Sequence, residues 1–493
     1  MTLPLSDIFA VLPELIVVTA ACVVLALDPL TPPTRKSWLA WLSLASLVAC
    51  FWISASQMGV TVPAFGGLVI LDPYAGFWKL LLYFVTGLTI LLSLAYLKEE
   101  RINLGEYYGF ILLSLSGMMI MVSAADLLTI YLGIELMSIS LYVLAGFKRF
   151  EERSLEASAK YFVLGSFSSG ILLYGISLLF GVAGSTRLQP IAVVVTMRGF
   201  DDPQLLLAMI LLVVGFGFKV SVVPFHMWTP DVYEGAPTSV TAFMAVASKA
   251  ASFGAFLRVF LEGLGGMKAN WYALFLIVCV VTLVLGNVVA IVQTNIKRML
   301  AYSSIAHAGY ALIGLVVAGQ TEAGSAVRTL GVSSVMLYLA VYAFMTLGAF
   351  TVVALLRKGG LEGDEIQDFT GLAKRQPVAG LLMLVFMVSL AGIPPTAGFI
   401  GKFYLFLAAV KAGLVWLAVV AVLFAAVSAY YYLRVVMVMY MRDPEPGEGP
   451  LPRLATSPAL TVVLASTLGG VVLLGLFPNP LVWVTNFAVL ILK

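Results

Sequence analysis

Lys219 is a charged residue inside a stretch that should exclude charge. Residues 205–224 (LLLAMILLVVGFGFKVSVVP) are otherwise apolar or small, apart from one serine. A run of roughly 20 apolar residues can cross a bilayer, and a lysine near its middle costs about 3 kcal/mol or more. Glu135, Lys249, His307 and Lys402 interrupt other apolar runs in the same way. Ionisable groups at mid-membrane are what a proton path requires.

Glu135 and Lys219 have opposite charges and suit proton loading. Glu135 lies roughly 14 Å from the outer end of its predicted span, at 1.5 Å per residue. Burial and a nearby lysine act on a carboxyl in opposite directions, so it can take up and release a proton. The simpler interpretation is a carboxyl that is hydrogen-bonded only for packing. Snorkelling to the headgroups explains Lys79 and Arg434 near span ends, but Lys219 is too deep for it.

His307 lies about 12 Å from the cytoplasmic end of its predicted span, and a histidine can relay protons through either ring nitrogen. A satisfied core histidine is the alternative, and His226, at a helix end, is a weaker candidate. The five candidates share one depth. If their helices are neighbours, they form a row along the membrane plane that needs separate water-filled half-channels to each face.

The composition excludes most other classes of protein. The 493 residues are 61% hydrophobic and only 11% charged, with a net charge of +3. About 25% charged residues is usual in soluble proteins, and continuous apolar runs argue against a barrel. No nucleic-acid partner is expected. No CxxC pair, Walker A loop or GxGxxG loop is visible, so no iron–sulfur cluster, zinc, disulfide, ATP or NADH is expected in this chain.

The hydropathy pattern predicts an all-α polytopic membrane protein with fourteen spans in a single membrane domain, 1–493. Residues 8–27 are taken as a retained span, because no basic region or cleavage site precedes Asp28. A last apolar run, 481–492, is too short to span. The predicted spans are 8–27, 37–56, 73–97, 107–122, 126–147, 160–182, 204–225, 235–257, 271–293, 299–319, 330–356, 377–407, 412–441 and 457–477.

Loop charge predicts the orientation, because cytoplasmic loops are rich in lysine and arginine. With the N-terminus outside, sixteen of these residues fall in cytoplasmic loops and seven on the outer side. Both termini are therefore expected outside. The outer seven are Arg187, Arg198, Arg258, Lys268, Arg328, Lys411 and Lys493.

Two of the five candidate residues lie beside prolines, which break helices because proline has no N–H to donate. Pro224 follows Lys219, and Pro394 and Pro395 precede Lys402 and leave the carbonyls of Leu390 and Ala391 without a donor. Broken helices at corresponding places in two halves of a chain are typical of transport sites. A structural kink is the alternative, and the symmetry is imperfect because Lys219 precedes its proline.

Several motifs resemble one family. The run GFGFKVSVVPFHMWTPDVYEGAPTSVTAFMAVASKAASFGAFLRV (215–259) is similar to the signature of the antiporter-like subunits of respiratory complex I, the proton-translocating NADH:quinone oxidoreductase. Four further segments agree with it: 131–147, 156–170, 295–310 and 392–406. The resemblance covers nearly the whole chain. Lysine at position 402 favours the N branch over the M branch, which tends to carry glutamate, and no lateral helix of the L branch is expected.

The resemblance implies two inverted five-helix repeats with broken helices. They correspond to 107–260 (spans 4–8) and 271–441 (spans 9–13), after N-terminal spans 1–3 in 1–106 and before span 14 and the tail in 457–493. It also implies one proton path, with Glu135 and Lys219 as a coupled pair, Lys249 and His307 as the relay, and Lys402 on the outlet side.

The hypothesis from these patterns is a proton-pumping subunit of a bacterial inner-membrane complex. NADH, FMN, iron–sulfur clusters and quinone are expected in partner subunits, which include sister antiporter-like subunits. One alternative is a subunit of a multisubunit cation/proton antiporter. Another is a scaffold whose buried charges only hold helices together. A transporter of organic solutes fits least, because no segment reads as a solute pocket.

Overall fold

The structure is a computed structural model that describes residues 4–32, 35–100, 102, 104–198, 202–320, 324–358, 364–443 and 457–489. The helices are α1 (Leu5–Ala10), α2 (Leu12–Leu27), α3 (Ser37–Ser56), α4 (Pro73–Glu99), α5 (Glu106–Ser123), α6 (Leu127–Ala145), α7 (Glu152–Ala183), α8 (Leu188–Arg198), α9 (Pro203–Val220), α10 (Trp228–Gly235), α11 (Thr238–Phe243), α12 (Lys249–Arg258), α13 (Lys268–Ile291), α14 (Ile296–Gly319), α15 (Ser325–Lys358), α16 (Leu372–Arg375), α17 (Pro377–Ala391), α18 (Ala397–Lys411), α19 (Val415–Met441), α20 (Pro458–Leu476) and α21 (Asn479–Val489).

Short elements complete the chain. The strands β1 (Val62–Ala64) and β2 (Val69–Leu71) pair antiparallel, with Val62 opposite Leu71. Single 3-10 turns occur at Phe65–Gly67, Gly265–Met267 and Ile366–Phe369, and π-helical turns at Met244–Ser248 and Val259–Gly263. Because the two π-turns continue α11 and α12, residues Thr238–Gly263 form one span.

The prediction of fourteen spans is confirmed. Twelve described helices are long and apolar enough to cross a membrane. The shorter α2 is the first span, and α17 and α18 together are the broken twelfth. The last apolar run forms only the short α21. Predicted ends differ most at α7, which begins at Glu152, and at the span Thr238–Gly263, which was predicted to end at 257, because polar residues at these ends continue the helix.

The two repeats have matching internal contacts. The N-cap residue Asp126 of α6 forms an antiparallel bridge with Arg187 in the loop after α7. In the second repeat, the N-cap residue Asn295 of α14 forms the same bridge with Glu365 after α15. Each cap side chain also accepts a hydrogen bond from the backbone of its own first turn, which satisfies an N–H that the helix leaves unpaired. The fourth span of each repeat is broken, as expected.

The breaks have local causes. α9 ends at Ser221, whose φ of 62° is left-handed, and Pro224 excludes a further helical turn. α17 ends at Gly392, whose φ of +84° favours glycine. A Cβ on Gly392 would lie 2.9 Å from the Lys402 side chain, so glycine is also needed there for close approach. The most completely buried spans are Thr238–Gly263, at the end of the first repeat, and α14 and α15 of the second.

Candidate proton-transfer site

Lys219 lies in the last turn of α9, next to the break. Its side chain is buried and its ammonium donates to the Ser138 hydroxyl, 2.8 Å away on α6. The Ser138 hydroxyl in turn donates to the carbonyl of Ile134 at 2.6 Å. A cation at the C-terminal end of a helix is favoured by the helix dipole, so the break gives Lys219 a favourable site inside the membrane.

Glu135 is three residues before Ser138, and residues at this spacing share a face of the helix. Oε1 of Glu135 is buried without a hydrogen-bond partner. The expected pair is not a direct ion pair among the described contacts, but the Glu135 charge acts on Lys219 electrostatically. The Glu135 carboxylate is therefore near enough to act on the Lys219 charge without a direct hydrogen bond to it.

Lys249 directly follows the π-turn Met244–Ser248 and is 1% exposed. Its ammonium donates to both the carbonyl and the hydroxyl oxygen of Ser304 on α14, each at 2.6 Å. The Tyr342 hydroxyl donates to the same Ser304 hydroxyl at 2.9 Å. Single π-turns occur frequently at functional sites, and this one precedes the lysine that joins the two repeats.

His307 is three residues after Ser304 and is also buried. The ring nitrogen Nδ1 is hydrogen-bonded to the hydroxyl of Tyr338 at 2.5 Å, and Nε2 to the hydroxyl of Tyr432 at 3.1 Å. In a neutral imidazole one nitrogen donates and the other accepts. The two tyrosine hydroxyls therefore give the ring a donor and an acceptor, which suits proton relay.

Lys402 folds back across the break in its own span. Its ammonium donates to the carbonyls of Leu390 and Ala391, both at 3.0 Å. These are the two carbonyls that the prolines leave without a donor. The ammonium also lies 4.9 Å from the centre of the Tyr310 ring, where the face of an aromatic ring attracts a cation.

The five candidates form two groups. Glu135 and Lys219 lie around Ser138, whereas Lys249, His307 and Lys402 lie together, because both lysine charges act on His307. Among the described residues, no direct side-chain hydrogen bond joins the two groups. α10 lies between them, with Trp228 bonded to the backbone beside Lys219 and the Tyr233 hydroxyl next to Ser304.

Sequence reasoning missed the neutral members of both groups. Ser138 and Ser304 were findable, because they lie three residues from Glu135 and His307. The two pairs also occupy equivalent positions in the repeats. Ser304 lies as far after its cap Asn295 as Glu135 lies after its cap Asp126. His307 likewise corresponds to Ser138. Tyr310 lies three residues after His307 on α14, whereas the other tyrosines around the ring come from α15 and α19 and carry no local signal. They are Tyr338, Tyr342 and Tyr432.

The snorkelling interpretation of Lys79 is wrong. Its side chain is 1% exposed and its ammonium lies 2.6 Å from the Glu14 carboxylate on α2. Arg434 is only partly buried, and it donates to the carbonyls of Ile291, at 2.7 Å, and Gln293. A sequence gives no sign that two helices are adjacent, so the depth of the residue alone misled the assignment of Lys79.

Arg258 was counted among the outer loop charges, and that is also wrong. It ends α12, is fully buried, and pairs with Asp72 at 2.8 Å and Glu262 at 3.3 Å. Its guanidinium also lies 5.0 Å from the centre of the Tyr74 ring. The outer count therefore falls by one, which leaves the cytoplasmic excess in place. His226, the weaker candidate, is buried outside both groups, with Nδ1 unpartnered.

Metal-ligating and thiol groups do not cluster in the described parts of the chain. No group of three or more His, Cys, Asp or Glu side chains that could hold a metal occurs there. Cys22, Cys50 and Cys279 are all free thiols. Proton transfer is the chemistry that suits the two groups around Ser138 and Ser304, which contain the five candidate residues.

Comparison with known proteins identifies the family of this chain. Residues 124–428 match the family described as NADH:quinone oxidoreductase/Mrp antiporter, TM. NADH-quinone oxidoreductase subunit N 2 of Rhizobium meliloti (strain 1021) is 49% identical over 469 residues, which cover 95% of each chain.

Solved structures share the fold. A chain of respiratory complex I from Thermus thermophilus with bound aureothin has a TM-score of 0.76 and 30% identity, over 95% of this chain and 98% of that one. A chain of the Mrp complex from Dietzia sp. DQ12-45-1b has a TM-score of 0.81 over 98% and 97%, but only 20% identity, so it supports the fold alone. This chain belongs to the NADH:quinone oxidoreductase/Mrp antiporter family of membrane subunits, in the NADH-quinone oxidoreductase subunit N branch.

Proposed function

We propose that this chain carries protons across the membrane as the antiporter-like N subunit of an NADH-quinone oxidoreductase, driven by electron transfer in other subunits. One observation carries the proposal. The ammonium groups of Lys219, Lys249 and Lys402 are buried and donate to serine hydroxyls and backbone carbonyls, not to carboxylates.

Two other buried cations differ in this respect. Lys79 and Arg258 each contact a carboxylate within 3 Å. Breaking such a pair leaves an uncompensated buried charge, which is strongly unfavourable. A lysine whose ammonium bonds directly only to neutral acceptors can instead lose its proton without breaking an ion pair. The three lysines of the candidate path therefore suit reversible protonation, whereas Lys79 and Arg258 suit structural roles.

The proposed sequence of events starts at Glu135. Electron transfer elsewhere in the complex changes the field on this carboxylate, and its hold on Lys219 loosens. The proton affinity of Lys219 then changes, and a proton shifts through Lys249 and His307 to Lys402. From Lys402 the proton leaves on the outer side of the membrane. Lys249 and His307 are linked through Ser304, Tyr342 and the tyrosines around the imidazole, which supply hydroxyl groups for the transfer.

The setting is part of the proposal. The complex lies in the bacterial cytoplasmic membrane with both termini of this chain outside, and residues 107–260 and 271–441 act as its two functional halves. NADH, FMN, the iron–sulfur clusters and quinone belong to partner subunits, so this chain performs no redox chemistry itself. Its neighbours are other membrane subunits, including sister antiporter-like subunits.

A cation/proton antiporter subunit is the second candidate, favoured by the fold shared with the Mrp complex. The much higher identity to an oxidoreductase subunit favours the first. Proton and sodium movements measured separately in liposomes distinguish the two. Electron-driven proton uptake without sodium supports the oxidoreductase, whereas sodium-dependent antiport without electron transfer supports the antiporter.

Lys219→Ala tests the proposal in the assembled complex. Proton pumping per electron pair should fall while assembly and NADH:quinone electron transfer persist. Lys374→Ala is the control, because Lys374 pairs with Asp443 at an exposed site. An assembled Lys219→Ala complex that pumps at the unaltered ratio would refute the proposal. Loss of assembly with every neutral substitution in the path would instead support a scaffold.

A further inference from the structure

α10 is a short helix between two interruptions of the chain. It has eight residues, preceded by the break after α9 and followed by Ala236 and Pro237. Isolated helices shorter than about 12 residues are marginal even in favourable sequences. The position of α10 therefore depends on its contacts with neighbouring helices.

Four ionic side chains tie α10 to its neighbours, and together they are called the α10 clamp: Lys160, Asp231, Glu234 and Arg298. From α14, Nη1 of Arg298 contacts Asp231 at 2.7 Å and Glu234 at 2.9 Å. From α7, Lys160 contacts Asp231 at 2.8 Å. The clamp thus joins one half-helix of the first repeat to helices of both repeats.

The clamp is charged at neutral pH. Burial raises the pKa of Asp231, but hydrogen bonds from Lys160 and Arg298 outweigh that effect and hold the pKa below its usual range. Asp231 and Arg298 are about one third exposed, and the clamp lines a cleft of about 210 Å³. Ion pairs so exposed are weak singly, so the clamp can release without great cost.

α10 connects the clamp to both groups of the proton path through contacts at its two ends. At its start, the indole of Trp228 donates to the Phe218 carbonyl at 3.0 Å, directly before Lys219. The same indole stacks on Tyr161, with ring centres 4.4 Å apart and planes inclined by 7°. Near its end, the Tyr233 hydroxyl lies beside Ser304, the acceptor for Lys249. A shift of α10 would move contacts of Lys219 and Lys249 together.

We propose that Asp231 and Arg298 are positioning residues for proton transfer, which hold α10 where Trp228 and Tyr233 meet the Lys219 and Lys249 sites. The inference rests on the proposed function. Neither residue touches the transferred proton. They act through α10, and their partnership crosses the boundary between the repeats, so it couples the two halves of the path mechanically.

A double-mutant cycle in the assembled complex tests the inference. Asp231→Asn, Arg298→Gln and the double variant are reconstituted in liposomes, and protons pumped per electron pair are measured beside electron transfer. Each single variant should lower the ratio, and the double variant should lower it by less than the sum of the two losses, because both single variants break the contact between Asp231 and Arg298 while each also weakens one further contact. Arg298→Lys should restore most of the ratio, since it keeps the charge.

Hydrogen exchange gives a readout independent of pumping. Amides of residues 228–235 should exchange faster in the single variants, while α7 and α14 keep their protection. Lys374→Gln, which removes an exposed ion pair elsewhere, should change neither measurement. Unaltered pumping ratios in both single variants, or losses that add in the double variant, would overturn the inference. So would equal losses of electron transfer and pumping, which a purely structural contact predicts.

The test separates the two proposals. A normal ratio in Lys219→Ala refutes the proton path itself. A lowered ratio in Lys219→Ala with normal ratios in the clamp variants refutes only the positioning role. Should Arg298→Gln fail to assemble, Asp231→Asn carries the test alone, because it leaves Arg298 paired with Glu234.

Discussion

The ammonium of Lys402 donates to the carbonyl of Ala391, 3.0 Å away, at the C-terminal end of α17. Lys402 itself lies beyond the break, on α18. Lys219 lies before its break, in the last turn of α9. Lys219 precedes the break in its span and Lys402 follows the break in its own span. Even so, each ammonium lies at the C-terminal end of the first half-helix, where the helix dipole favours a cation. The repeats therefore share an electrostatic arrangement that their sequence order conceals.

Replacing Lys402 should destabilise the broken span formed by α17 and α18. In Lys402→Met, two buried carbonyls lose their donor, at about 1–3 kcal/mol for each unsatisfied group. Lys402→Glu should be worse, because a carboxylate faces carbonyl oxygens with no hydrogen to donate. Thermal unfolding of the purified complex, monitored through labelling of the buried Cys279 thiol, ranks the stability of the two variants and of wild type. Lys411→Met, at an exposed position of the same helix, is the control, and a Lys402→Glu complex as stable as wild type would contradict the account.

Ser138→Ala should impair pumping, because it removes the hydroxyl that accepts from Lys219. Ser140→Ala is a matched control on the same helix. Both serines donate to the carbonyl four residues earlier, but only Ser138 meets the lysine. We expect the pumping ratio of Ser138→Ala to approach that of Lys219→Ala, and that of Ser140→Ala to equal wild type. Equal ratios in the two serine variants would count against a role for Ser138.

Tyr432→Phe should slow proton transfer at His307. It removes the hydroxyl bonded to Nε2 of the imidazole and to the Ser303 hydroxyl. Tyr431→Phe removes a neighbouring hydroxyl that bonds to Asn287, at 3.1 Å, and to the Tyr432 hydroxyl, but not, among the described contacts, to the imidazole. Both variants should lose about 1–3 kcal/mol of stability, but only Tyr432→Phe should lower the pumping ratio. Identical ratios in the two would remove Tyr432 from the path.

Lys79→Met should destabilise the N-terminal helices by about 3–5 kcal/mol, because it leaves the Glu14 carboxylate buried and unpaired. The double variant Glu14→Gln/Lys79→Met should recover much of that loss, since neither side chain is then charged. Thermal unfolding of the complex measures both. The pumping ratio of any assembled variant should stay normal, because this pair lies outside the proposed path. A milder effect of Lys79→Met than of the double variant would argue for snorkelling after all.

Features encoded by a single segment could be predicted from the sequence. The depth of Lys219 follows from the apolar residues around it, and the break before Lys402 follows from two prolines, which also identify the carbonyls that need donors. That Lys402 itself supplies the donor depends on how α18 folds back on α17. No periodicity in either helix encodes that angle.

Features that depend on two distant segments were missed or misjudged. Lys79 lies near the start of α4, so it looked like an end residue, and its partner Glu14 lies on a separate helix, α2. Arg258 looked like a loop charge for the same reason. Tyr338 and Tyr432 are ordinary aromatic residues within their own helices, and only the meeting of α14, α15 and α19 places them against His307.

The π-turn Met244–Ser248 gives the helix before Lys249 one residue more than an α-helix of the same register needs. Deleting Ala245 should close the segment into regular helix while Lys249 still faces Ser304. The deletion thus removes the surplus residue and keeps the charge in place. If this complex then assembles but fails to pump, proton pumping depends in part on the flexibility of the π-turn backbone and not on side chains alone.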